Sequence, residues 1–198
     1  VVPDGAVLRL GGEADAPTVA DATAKAASAM DGIMAALKRN GVADKDIRTQ
    51  YFNITQLRRW LDREQRETVT GYRVSNLVTA KLRDLGKVGA AIDEAVKAGG
   101  DVTRVQGISF QVDNPTAAVT QARELALKDA LGKAEQIARA LKVKVGRPMS
   151  VSESGGGVPV FDKGVEMRAA PALAAPSTPI SPGESEVRVN VQAVFTIE

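Results

Sequence analysis

Cysteine and histidine are both absent from the 198 residues of this chain. Thiol chemistry, thiolate- or imidazole-bound zinc, and Ser-His or Cys-His nucleophile activation each lose a necessary part. Any catalysis has to rest on carboxylate, lysine, tyrosine or a bound cofactor. The lack of cysteine is compatible with an oxidising compartment. No run of about 18 apolar residues occurs, so no helix is expected to span a bilayer. The chain opens Val1-Val2-Pro3-Asp4-Gly5 instead of a basic segment followed by an apolar one, so no secretory signal is read there. A cytoplasmic protein fits, as does a mature or trimmed form of an exported precursor. An excess of one charge is also missing. Twenty-six basic and 24 acidic residues leave +2, too balanced for a protein whose main partner is a polyanion.

What is present is a chain with 44% hydrophobic residues, and a chain of this length buries roughly 70% of its unfolded surface. One domain or two tightly packed halves are both allowed. The stretch 71–83 reads as a long strand: Tyr72, Val74, Val78, Ala80 and Leu82 share one parity, and Arg73, Ser75, Thr79, Lys81 and Arg83 the other. Asn76 falls in the apolar row, where its amide needs hydrogen-bond partners, and Leu77 falls on the polar face. Upstream, 48–60 reads as extended and 61–67 as a charged connection, so 48–83 is expected to form a long antiparallel hairpin.

Residues 6–10 predict a short strand ending in a turn at Gly11-Gly12. Thr18 to Asp21 resembles a helix-entry capping box. Val19, Ala22, Ala26, Met30, Ile33 and Leu37 then form one apolar stripe that Asn40-Gly41 closes. A second helix is expected over 84–98, with Leu85, Val88, Ile92, Ala95 and Val96 facing inward and Gly99-Gly100 as the stop. A strand over 102–112 slips phase near Gly107, as a bulge would make it do. Asn114-Pro115 starts a third helix running to about Leu141, which is expected to bury Leu127, Leu131, Ala134, Ala138 and Leu141. Its wet face carries Glu124 with Lys128, Asp129 with Lys133, and Glu135 with Arg139. A strand follows over 143–154. Residues 155–183, rich in Gly, Pro and Ala, predict a flexible surface excursion. Gly155-Gly156-Gly157 is no phosphate loop, because no Gly-Lys-Ser/Thr follows it. The chain ends in its cleanest strand, with Val187, Val189, Val191, Ala193, Phe195 and Ile197 on one face, expected to pair with an earlier part of the chain.

These pieces, in this order, resemble the SIMPL domain family, which includes bacterial periplasmic immunogenic proteins and oxidative-stress-defence proteins of the cell envelope. The residues that carry the resemblance are 36–38, Gly41-Val42, Asp44 to Ile47, Gly71 to Asn76, Asp84 to Gly89, Val105 to Phe110, the Ala-rich helix over 123–141, and Pro182-Gly183-Glu184. The resemblance implies an α+β fold of two packed sub-structures with mainly antiparallel sheets and three main helices. It places a strand-helix-strand half over about 1–69 and a ferredoxin-like half over 70–154 plus 184–198. It implies an exported, periplasmic protein that assembles into a homo-oligomer, with a link to oxidative or envelope stress. Family members usually begin with a Gly-rich strand upstream of the position of Val2-Pro3-Asp4. If the chain was trimmed of that strand, one sheet edge is expected to lack its partner and to be open to a neighbouring subunit. The family supplies no catalytic, cofactor or metal residues, and none is assigned.

The candidate sites are therefore structural or interfacial. Arg58, Arg59, Arg63, Arg66 and Arg73 cluster with Trp60 and Tyr72 on the hairpin, a mixture that suits a solvated or subunit-contact surface, a lipid headgroup surface, or stacked bases. Acidic neighbours dilute it to +2 over 58–73, and nucleic acid is not expected as a partner. Asn76 with Ser75 forms the second candidate, as a buried amide tying the strand to a neighbouring loop or as a polar lining of a small-ligand cleft, and Gly71 beside them is a candidate structural or interface residue. Carboxylate pairs for an enzyme, Asp44 with Asp46 or Asp113 near Glu124, sit in turn and cap positions where acids are common. The reading is a non-enzymatic, self-assembling envelope protein. The alternative is a monomeric module that binds a small ligand or a lipid surface without spanning it.

Overall fold

The computed structural model describes residues 1–61, 65–155, 160–161 and 178–198, with 160–161 described by backbone alone. It is α+β, as expected, and divides into two compact units: Asp4–Gln111 with Ala170–Pro182, and Val1–Pro3 with Val112–Ala169 and Gly183–Glu198.

The first unit is a βαββαβ chain of β1 (Gly5–Ala16), α1 (Val19–Arg39), β2 (Ile47–Leu61), β3 (Arg66–Leu82), α2 (Val88–Gly99) and β4 (Thr103–Gln111). Its sheet runs β2-β3-β1-β4 with every neighbour antiparallel, which is the ferredoxin-like arrangement. That half therefore lies over 5–111, not over 70–154 plus 184–198. The expected boundary at 69/70 falls inside β3, which hydrogen-bonds to β2 on one side and β1 on the other and cannot be parted from either.

β1 also corrects an expectation, because it runs through Gly11-Gly12 instead of turning there. The glycines answer a packing need. A Cβ on Gly11 would run into the main chain of Asn76, with Leu77 Cα only 2.8 Å away. A Cβ on Gly12 would sit 3.3 Å from the Ala26 carbonyl oxygen of α1. α1 begins as its sequence predicts, with Thr18 Oγ1 accepting from the Asp21 N–H at 3.1 Å. Its stripe of Ala22, Ala26, Met30, Ile33 and Leu37 is buried, while Val19 at the entry stays exposed. α2 is preceded by a short 3-10 turn, Leu85–Lys87, so its buried row is Val88, Ala91, Ala95 and Gly99, and Val96 faces solvent against expectation. The bulge expected near Gly107 is present, because β4 passes from Gly107 opposite Arg9 to Val105 opposite Leu10 and leaves Gln106 unpaired. Leu8, Leu10, Ile33, Leu37 and Val88 fill the core between sheet and helices. The described end of the 155–183 excursion is fastened to this unit. Thr178 donates to the Asp93 carboxylate through N–H at 3.0 Å and Oγ1 at 2.6 Å, and Ile180 packs on the core.

The second unit comprises α3 (Thr116–Leu141), β5 (Val145–Gly155), β6 (Val160–Phe161), β7 (Ser185–Glu186) and β8 (Val189–Ile197). The final strand finds its earlier partner in β5, antiparallel, and β7 pairs with β6. Most of the excursion, 156–159 and 162–177, lies outside the described residues. The Thr116 N–H donates to Asn114 Oδ1 at 3.1 Å at the start of α3, and Lys133 meets Asp129 at 2.6 Å on its wet face. Its apolar side departs from expectation. Ala138 is buried, but Leu127, Leu131 and Leu141 are exposed. The helix packs mainly on β8, and a two-stranded sheet is too narrow to cover one side of 26 residues.

Two glycine substitutions separate packing from backbone freedom. Gly11→Ala is expected to lower stability by about 1–3 kcal/mol through overpacking. Gly132→Ala, in open space on α3, is expected to raise it by roughly 0.5–1 kcal/mol. Urea midpoints compared with the parent protein check both.

Candidate functional site

β2 and β3 outrun the rest of their sheet. β1 ends where Ala16 meets Tyr72, and beyond it the ribbon continues alone, with Leu57 opposite Gly71, Arg58 opposite Val69, Trp60 opposite Glu67 and Leu61 opposite Arg66. Gly71 marks the parting point. A Cβ there would lie 2.8 Å from the Ala16 carbonyl oxygen. The strand alternation splits the expected basic cluster, setting Arg58 and Trp60 on one face and Arg59 on the other. Arg58 donates to Glu67 at 3.4 Å and to Gln56 at 3.0 Å, so its charge is partly spent within the ribbon. Trp60 is 55% exposed. Arg63 lies outside the described residues.

Tyr72 of the hairpin cluster and the second candidate pair, Ser75 and Asn76, are also divided by the sheet. Tyr72 packs with Ala14, Ala16, Ala22, Ala26 and Val74 beneath α1. Ser75 is on the face away from the helices, where its Oγ donates to Glu13 at 3.3 Å. Asn76 is in the register position between Gly12 and Phe52, and its Oδ1 is buried with no partner among the described residues. Adjacent strand residues point to opposite faces, so Ser75 and Asn76 do not line one cleft.

A charged network that sequence reading missed occupies the face of Ser75. Arg73 forks onto Asp15 with both arms at 2.7 Å, and Arg104 reaches Glu13 at 3.4 Å. The hydrogen bond from Arg73 holds the Asp15 carboxyl below the usual aspartate range, and Arg73 is pushed up by the same bond. Its only signal in sequence was the shared parity of Glu13 with Asp15 on one strand and of Arg73 with Ser75 on another. The carboxylates Asp44 and Asp46 are likewise occupied by local partners. Asp44 meets Lys38 at 2.6 Å, and Arg83 forks onto Asp46, with one arm at 2.9 Å. That fork is the main cause lowering the Asp46 pKa. Among the described residues no group of acids could hold a metal ion, and no helix is long and apolar enough to cross a membrane. A cavity of about 480 Å³ in the second unit is an open groove between the first half of α3 and residues 184–187, with Val1 at its side. Ser185 lines it, and its Oγ is buried without a partner among the described residues.

The Arg83–Asp46 fork carries a pH prediction. A carboxyl with a lowered folded pKa adds stability above its unfolded pKa and loses it as pH falls through the folded value. Arg83→Leu is therefore expected to cost about 0.5–1 kcal/mol at neutral pH, as a solvent-screened pair does. The difference from the parent protein should vanish on acidification below the ordinary aspartate range, as denaturant curves across pH would record.

Both surfaces present side chains suited to contact. Comparison with known proteins adds a lineage. The SIMPL family, described as a protein of unknown function (DUF541), matches residues 1–195. The 26 kDa periplasmic immunogenic protein of Brucella melitensis is 34% identical over 201 aligned positions, covering 99% of this chain and 80% of that protein. The uncharacterized protein YggE of Escherichia coli is 29% identical, over 76% of this chain and 59% of its own length. YggE of Edwardsiella ictaluri is 28% identical, over 76% and 62%. With the family signature running through both units and a relative of that identity along nearly its whole length, this chain belongs to the SIMPL family.

Proposed function

We propose that this protein is a non-enzymatic protein of the bacterial periplasm whose work is self-assembly, linked to protection of the envelope under oxidative or other stress. The periplasmic assignment is supported by the name of the Brucella relative. The stress link is supported by the family resemblance. Self-assembly is supported by one observation above all: several large apolar side chains on the helix of the second unit are exposed. Leu125, Ile137 and Leu141 of α3 are 62, 61 and 65% exposed, and Met149 and Ile197 of the adjoining strands are open as well. Isolated exposed leucines are ordinary, but several on one helix of one small unit call for a partner surface. A second copy of the chain supplies such a surface at no cost in specificity.

Light scattering at micromolar concentration tests this reading. The expected result is a particle several times heavier than 20.8 kDa. A species at 20.8 kDa that binds anionic vesicles or a small apolar probe at the α3 groove would replace it with the monomeric binding reading. Nucleic acid is excluded from the proposal, because Arg58 is internally paired and the chain carries only +2. Mobility-shift titrations with DNA and RNA at low salt, where electrostatic binding is strongest, are expected to show no complex.

A further inference from the structure

β2 ends the four-stranded sheet, so its outer row of backbone N–H and C=O groups has no strand beside it among the described residues. Natural edge strands are usually blunted by charge, proline, brevity or bulges. β2 is 15 residues long, and 49–57, Thr-Gln-Tyr-Phe-Asn-Ile-Thr-Gln-Leu, contains no charge, no proline and no glycine. The protective features stand only at its margins, as Arg48 before it, Arg58 and Arg59 after it, and a bulge at Gln50. Phe52 and Ile54 lie opposite Asn76 and Val74, on the side of the sheet that carries the helices. α1 packs over β1 and β3 and leaves them open, at 55 and 42% exposure. Tyr51 is open on the other face.

We propose that two copies of this chain join edge to edge along β2, antiparallel about a two-fold axis at Asn53. This inference rests on the self-assembly reading and names one surface that serves it. In that register each Phe52 meets the partner's Ile54 on one face, and each Tyr51 meets the partner's Thr55 on the other, which are favourable aromatic and β-branched cross-strand pairs. The ladder runs from Gln50 to Gln56 and stops at the bulge before any arginine enters it. Charge selects the register. A slip of two residues toward the C-terminus sets Arg58 against Phe52 and Arg59 against Tyr51. The opposite slip sets Ile54 against Arg48. A slip of one residue sets Phe52 or Ile54 against a glutamine. Only the Asn53 register gives both Phe52 and Ile54 an apolar partner and leaves the cations in water. A ladder this short falls below the roughly 800 Å² per partner of a standard interface, so it is one joint of a larger particle.

The absence of cysteine makes the test direct, since Asn53→Cys carries a single thiol. Residues directly opposite in an antiparallel pair bring their Cβ atoms to about 4.5–5.5 Å, close enough for a disulfide to close with small adjustment. Under mild oxidation N53C is expected to run as a covalent dimer on a non-reducing gel. Ser28→Cys, on the exposed side of α1, is the control and is expected to stay at least tenfold less cross-linked. Adding Ile54→Lys to N53C is expected to abolish the dimer with the circular dichroism unchanged, because Ile54 lies outside the buried core. Cross-linking of N53C no faster than S28C, or untouched by Ile54→Lys, overturns the joint. Light scattering of the unmodified chain keeps the two ideas apart. A heavy particle without cross-linking of N53C removes this joint and leaves self-assembly standing, whereas a 20.8 kDa species without cross-linking removes both.

Discussion

The close approach of β1 to its surroundings is the constraint on which the first unit depends. β1 is hydrogen-bonded to β3 on one side and β4 on the other, and α1 lies across it. Two helices and four strands can share one core here because Gly11 and Gly12 have no side chains to hold the layers apart. Leu8 and Leu10 then enter a fully buried cluster with Ile33, Leu37 and Val88. Burial of this kind, at about 25 cal/mol per Å² of apolar surface, is the main force holding the βαββαβ chain together. The ion pairs on the opposite face, Arg73 with Asp15 and Arg104 with Glu13, are solvent-screened and set the strand register more than they add stability.

The second unit answers the same demands with less material. One long helix and short two-stranded pairings cannot enclose the apolar groups they carry, so α3 and β5 keep leucine, isoleucine, valine and methionine in contact with water. The first unit has a matching incompleteness at β2, where neither a helix nor a further strand is applied to the sheet among the described residues. Both features support the proposed contact with other protein. This is the physical basis on which self-assembly is proposed.

Much of this was legible in advance wherever one neighbour decides a residue's fate. The stripe from Ala22 to Leu37 buries as its spacing predicts, and Asn40-Gly41 ends the helix. The phase slip at Gly107 appears as read, and the last strand alternates from Val189 to Phe195, while Val187 precedes it and Ile197 at its end is exposed. The candidate site was less legible. Arg58, Arg59 and Trp60 were found by composition, but which of them share a face follows from the pairing of β2 with β3. Ser75 and Asn76 are neighbours in the chain and lie on opposite sides of the sheet.

By itself, then, the sequence determined the α+β class, the helices, the hairpin and the family, because local periodicity and capping depend on residues a few positions apart. Tertiary structure alone decided that Gly11-Gly12 lies within a strand, that the ferredoxin-like unit occupies 5–111, and that Leu127, Leu131 and Leu141 remain uncovered. Those outcomes depend on which strands become neighbours and how wide a sheet lies beneath each helix. Both are properties of long-range pairing, which no short window of residues encodes.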